Sequence, residues 1–321
     1  MRKMPSIAPS VTAVNATAAF SVSLRIQTND LIAMTDKTFL RAHAALRDDI
    51  GDLLTQRPVP SPDLDQIDPF LFLNHHGPQT YGPHIRGLPF GPHPHRGFET
   101  VTFIVEGMLA HRDSAGHESI IHAGGVQWMT AGSGIVHAEV SPRDFLDSGG
   151  PLEILQLWVN LPARLKMTAP AYTGVQQAQI PALSLDDGRV TLNLIAGEWA
   201  GSTGPVDSLT GVFMSTVALQ AGGRLRITGL QGRNVLLYVV RGRIGVGGHD
   251  DLVNAYQLVE LSEAGDALEI VADTASLLLF GHADPIGEPV VAHGPFVMNT
   301  RAEIGQAIAD YQAGRFGSTL A

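Results

Sequence analysis

The chain has 321 residues, 44% of them apolar and 16% charged, with 35 Gly, 20 Pro and no Cys. It is long enough for two domains that each bury a core, and the absence of Cys excludes disulfide scaffolds, zinc ribbons, iron–sulfur clusters and thiol catalysis. Lys and Arg number 21 against 31 Asp and Glu, a net charge of −10 with His neutral, so direct nucleic-acid binding through a polybasic surface is not expected.

Met1-Arg2-Lys3 could open a secretory signal, but the stretch to Ile26 is broken by Ser, Thr, Asn15 and Arg25, whereas a signal needs a compact apolar run. No stretch reaches the roughly 18 consecutive apolar residues of a membrane span, and the expected location is cytoplasmic with no membrane partner. Residues 1–45 read as a weakly ordered extension, with Met34 an alternative start. Phe39, Ala42, His43 and Leu46 fall on one stripe, which predicts a short helix over 36–47.

From about Asp68 the chain becomes short apolar runs divided by Gly and Pro every eight to twelve residues or so, the pattern of a sandwich or barrel. Runs at 70–73, 100–105, 119–122, 126–130 and 153–161 form one series. Runs at 190–195, 212–219, 224–227, 235–240, 255–261, 267–271 and 276–280 form another. Phe103-Ile104-Val105-Glu106-Gly107-Met108-Leu109 is echoed 135 residues later by Tyr238-Val239-Val240-Arg241-Gly242-Arg243-Ile244. The two series therefore predict two similar β-domains, 46–165 and 188–285, joined by a linker over 166–187. In the closing segment 286–321, Thr300-x-x-Glu303 has the form of a capping box ahead of Ile304, Ala307, Ile308 and Tyr311, predicting a packing helix over about 301–313.

Two motifs carry chemistry. Gly91-Pro92-His93-Pro94-His95-Arg96-Gly97 enters a predicted strand, and in extended chain residues two apart point to one side. Forty-two residues beyond His95, Ala131-Gly132-Ser133-Gly134-Ile135-Val136-His137-Ala138-Glu139 repeats the arrangement with His137 and Glu139. Two strands each offering such a pair to one interior would make a site of three His and one carboxylate, with octahedral positions left for substrate or dioxygen. The same side chains could be hydrogen-bonded core residues, but burying three imidazoles and a carboxylate together without a cation is costly. Imidazole and carboxylate suit Fe(II), while Mn, Ni, Cu and Zn stay chemically open. His75 and His76 are adjacent, so in a strand they face opposite sides and cannot chelate together. His111 and His117 flank a predicted turn and are expected at the rim, and Trp128, Met129, Phe98 and Phe103 are expected in the core.

These motifs, together with Asp68-Pro69-Phe70-Leu71, Gln127-Trp128-Met129-Thr130, Leu157-Trp158-Val159-Asn160-Leu161-Pro162 and the stretch from His293 to Arg301, resemble the pirin family of two-domain cupins over roughly residues 46–317. The resemblance implies an all-β bicupin of two antiparallel jelly-roll barrels with a C-terminal helix. It further implies iron in the N-terminal cupin on His93, His95, His137 and Glu139, with Glu139 also the catalytic base. Glu99, which stands where the wider cupin signature places a carboxylate ligand, then reads as supporting rather than ligating. The C-terminal cupin is expected to be metal-free, since the 135-residue offset sets Thr228 and Leu230 against His93 and His95. Asn74-His75-His76 stands where many relatives carry an acidic residue, so the pocket mouth is expected to differ. The family implies a quercetin 2,3-dioxygenase acting on a flavonol or related enolic aromatic and releasing carbon monoxide. The alternative it implies is a metal-containing regulatory protein that binds a transcription factor or metabolic enzyme.

Overall fold

A computed structural model describes residues 35–317; the readings of a signal segment and of Met34 lie outside them. The described chain is mostly β-strand in two halves, each built of a seven-stranded and a four-stranded antiparallel sheet. In the first half the large sheet runs, in spatial order, Ala171–Val175, Val126–Thr130, Phe98–Glu106, Gly150–Asn160, Phe70–Tyr81, Thr55–Val59 and Leu46–Arg47. In the second it runs Phe39–Ala44, Gln257–Leu261, Asn234–Arg241, Ser276–Ala283, Phe213–Leu219, Val190–Ala196 and Ala182–Leu185. The small sheets are Phe90–His95, Ile135–Val140, Met108–Asp113 and Glu118–His122, matched by Arg224–Thr228, Ala267–Ala272, Arg243–Val246 and Val253–Asn254. The two halves correspond strand for strand, as the sequence echo predicts. Their ladders form pairs of open sheets rather than closed hydrogen-bonded rings.

Three local expectations change. The predicted helix over 36–47 is a strand, Phe39–Ala44, paired antiparallel with Gln257–Leu261. An edge place on the second half's sheet, with Phe39 and Ala42 packed on its core, outweighs a helical stripe whose Leu46 stays exposed. Residues 39–45 are thus part of the fold rather than a loose extension. The stretch read as a linker also contributes edges, Ala171–Val175 to the first large sheet and Ala182–Leu185 to the second.

The large sheets pack against each other through Phe70, Val101, Phe103, Trp128, Leu155 and Leu157 from one side and Met214, Leu236, Tyr238, Val240 and Leu279 from the other. Between the sheets of the second half the core is hydrophobic and mostly aliphatic, including Leu225, Ile227, Leu268 and Ile270. Those four lie on the strands equivalent to the ones bearing the His motifs. Thr228, which the offset sets against His93, is exposed, on the opposite strand face from buried Leu225 and Ile227.

The C-terminal helix spans Arg301–Gln312 with both hydrogen bonds of its capping box, Thr300 to Glu303 and back. Ile304 and Ala307 pack with Val136, Phe296, Met298 and Phe316, which docks the closing segment on the first half. Among the described residues no helix is long and apolar enough to cross a membrane.

Candidate metal centre

The strand Phe90–His95 pairs with Ile135–Val140 so that His93 stands opposite His137 and His95 opposite Ile135. The register then slips, Glu139 facing Phe90, which leaves one extra residue at Gly91-Pro92, where Pro92 has no N–H for the ladder. One ring nitrogen each from His93, His95 and His137 lie within 4.8 Å of one another, a group that could hold a metal ion. Two nitrogens on one ion at about 2.1 Å can be no more than about 4.2 Å apart, so the rings sit close to ligating positions.

Backbone carbonyls set the tautomers of two of them. His93 Nδ1 bonds the Gly91 oxygen at 2.7 Å and His95 Nδ1 bonds the Pro295 oxygen at 3.3 Å. A carbonyl only accepts, so each Nδ1 carries the hydrogen and each Nε2 is left as a lone pair. His137 is buried with neither ring nitrogen partnered. Burial holds all three imidazoles below the ordinary histidine range, His95 at about 3. They are therefore neutral near pH 7, the form that ligates a cation.

Glu139 lies outside this tight group but lines the same cavity. Its Oε1 accepts from the Thr102 hydroxyl at 2.6 Å, and burial pushes its carboxyl up to about 7. Glu99 is also buried, but it shares a strand face with Val101 and Phe103, which face the second half. Its Oε1 accepts from Thr130 at 2.6 Å, and it points away from the histidines. His111 is not at the rim: it is buried, stacks on Tyr172 at 4.0 Å and bonds Asp113 at 3.1 Å.

The cavity above the histidines is about 240 Å³, and His76, Phe72, Asn74, Gln156 and Trp158 form its opposite wall. His75 and His76 do face opposite ways. His76 lines the cavity, with Nδ1 bonded to Thr55 Oγ1 at 2.8 Å, whereas His75 turns to the second half and bonds Tyr238. Arg57 also lines the cavity and stood outside every motif. Gly294 and Pro295 close one side, so the stretch ahead of the C-terminal helix supplies both cavity wall and the carbonyl that orients His95.

Arg96 ties that segment down. It donates to Asp310 Oδ2 at 2.8 Å and to the Ser133 carbonyl at 2.7 Å, and lies 4.6 Å from the Phe316 ring centroid. Lys166 Nζ, buried, donates to the carbonyls of Gly97 and Val297 and to Asn160 Oδ1.

Two sheet pairs related strand for strand, with a buried His cluster in the first and a hydrophobic core in the second, define a two-domain cupin. The chain belongs to the pirin family: residues 52–159 match pirin and residues 214–317 match the pirin C-terminal cupin domain. It is 42% identical over 273 residues to a pirin-like protein of Caulobacter vibrioides, covering 84% of this chain and 94% of that one. The crystal structure of a quercetin 2,3-dioxygenase from Acinetobacter baumannii superposes with a TM-score of 0.83 at 35% identity, covering 89% of this chain and 100% of the other. An Escherichia coli pirin, YhhW, solved in complex with nickel(II), shares the fold at a TM-score of 0.60 and 21% identity, covering 76% and 99%.

Proposed function

We propose that this pirin is a metal-dependent dioxygenase of the quercetinase type, acting on a flavonol or a related enolic aromatic. His93, His95, His137 and Glu139 are the proposed ligands, iron(II) the proposed ion, and each half is read as one cupin barrel. One observation carries the reading: His137, buried with two unpartnered ring nitrogens, stands beside two further neutral imidazoles. An unsatisfied buried polar atom costs about 1–3 kcal/mol, and a cation bound at the ring's lone-pair nitrogen removes that atom's cost.

A divalent iron there would polarise the substrate's enol and keto oxygens and supply redox chemistry towards dioxygen. The chain's own side chains do the rest. Glu139, with its carboxyl near 7, takes the enol proton on a carboxylate oxygen, and the Thr102 hydroxyl holds that carboxylate in place. Trp158 and Phe72, stacked at 4.7 Å, offer apolar surface to an aromatic ring and keep water from that wall.

Metal analysis of anaerobically purified protein, followed by oxygen uptake and carbon monoxide release with quercetin, tests the reading. Stoichiometric iron and oxygen consumption dependent on an enolic aromatic are expected. A protein that retains no transition metal, or that holds iron and consumes no oxygen across a panel of such compounds, overturns it. The regulatory alternative rests on family resemblance alone.

A further inference from the structure

Arg57 is the only Lys or Arg among the described residues lining the cavity. It is held rather than loose. Its Nε donates to Asn74 Oδ1 at 3.0 Å, its Nη2 pairs with Asp48 at 2.5 Å, and its guanidinium lies 5.0 Å from the Phe72 ring centroid. Among the described residues Nη1 makes no hydrogen bond to the protein, and the side chain keeps 29% of its surface exposed. A planar donor fork fixed in this way and left with free N–H groups suits a carboxylate.

Two further features point the same way. Asn74 is neutral, so Arg57 is balanced only by Asp48, whose side chain is 51% exposed and does not line the cavity. A divalent cation on neutral imidazoles, with Glu139 the only lining carboxylate, would leave the cavity net positive and favour a doubly acidic ligand. The volume of about 240 Å³ also falls below the roughly 300–1,000 Å³ of sites for drug-sized ligands.

We propose that the cavity selects a compact enolic aromatic acid, with its enol and keto oxygens towards the histidines and its carboxylate on Arg57. This rests on the metal-dependent reading above and narrows its substrate class away from the larger, uncharged-ring flavonols.

Kojic acid and comenic acid test it, because both carry the same hydroxy-pyranone chelating pair and differ in a hydroxymethyl against a carboxylate. Calorimetric titration of anaerobic, iron(II)-loaded protein is expected to give a Kd at least tenfold lower for comenate than for kojic acid. In Arg57→Gln that ratio should fall below threefold. Asn74→Asp, which sets a second carboxylate against Arg57 and leaves its stem in place, should lower the ratio as well. Equal affinities in the wild type, or a ratio that survives in both variants, overturn the assignment to Arg57 and leave the metal-dependent reading standing. Failure of both compounds to bind iron-loaded protein overturns the enol-chelating reading and this inference with it.

Discussion

The Tyr238 hydroxyl, from the second half, donates to Nδ1 of His75, from the first, at 3.0 Å, and both residues are fully buried. A carboxylate only accepts, so His75 Nε2 carries the hydrogen towards Glu153 and, in the neutral ring, Nδ1 accepts from Tyr238. His75 Nε2 then donates to Glu153 at 2.8 Å, and Glu153 also pairs with Arg241 of the second half, which reaches Glu106 at 2.7 Å. The apolar interface between the large sheets is thus threaded by one polar chain. Tyr238→Phe strands the Nδ1 lone pair and should cost about 1–3 kcal/mol. Urea unfolding checks this, and a midpoint unchanged from wild type would show that the bond is energetically silent.

His137 should show opposite signs in the two forms of the protein. His137→Leu replaces unpartnered buried nitrogens with apolar atoms of similar bulk, so metal-free protein should gain about 1 kcal/mol or more. The same change removes a proposed ligand, so metal content and oxygen uptake should fall below a hundredth of wild type. Melting curves with and without chelator separate the two effects, and a destabilised metal-free variant would contradict this account of the ring.

Glu139 sets a pH dependence. Its folded pKa, about 7, lies above the ordinary 4.5 because burial disfavours the charged form. Its contribution to the stability of metal-free protein is therefore full below about pH 4.5 and is lost as pH rises through 7. The three histidines, already neutral, release no protons on ligation near neutrality. Metal binding should then release about half a proton at pH 7 and almost none at pH 8.5. Calorimetry in buffers of different ionisation enthalpy reads this number directly, and equal release at both pH values would remove Glu139 from the ligand set.

Gly97 is where the closing segment meets the His93-x-His95 strand. Its φ is +88°, and a Cβ there would lie 2.0 Å from the Val297 carbonyl oxygen. Gly97→Ala combines a left-handed backbone with a backbone collision, and should cost about 2–4 kcal/mol. Because Pro295 orients His95, metal affinity should also drop by about ten- to a hundredfold. Thermal melting and competition with a chelator measure the two, and a wild-type affinity would show that His95 does not depend on this segment.

Much of the architecture was legible from residue order. Spacing of apolar runs, the echo at 135 residues and the Thr300–Glu303 box foretell two β-halves and a terminal helix, because period, turn and cap are local properties. The i, i+2 spacing likewise places His93 beside His95 on one side of a strand, and adjacency sends His75 and His76 to opposite faces. Tertiary pairing decided the rest. It drew Phe39–Ala44 into the second half's sheet against its helical stripe, turned Glu99 to the interface, and buried His111 behind the cluster. It also brought Arg57 to the cavity and the Pro295 carbonyl to His95 across 200 positions of chain. Contacts of that kind depend on which strand edges and segments meet in space, and no local period encodes them.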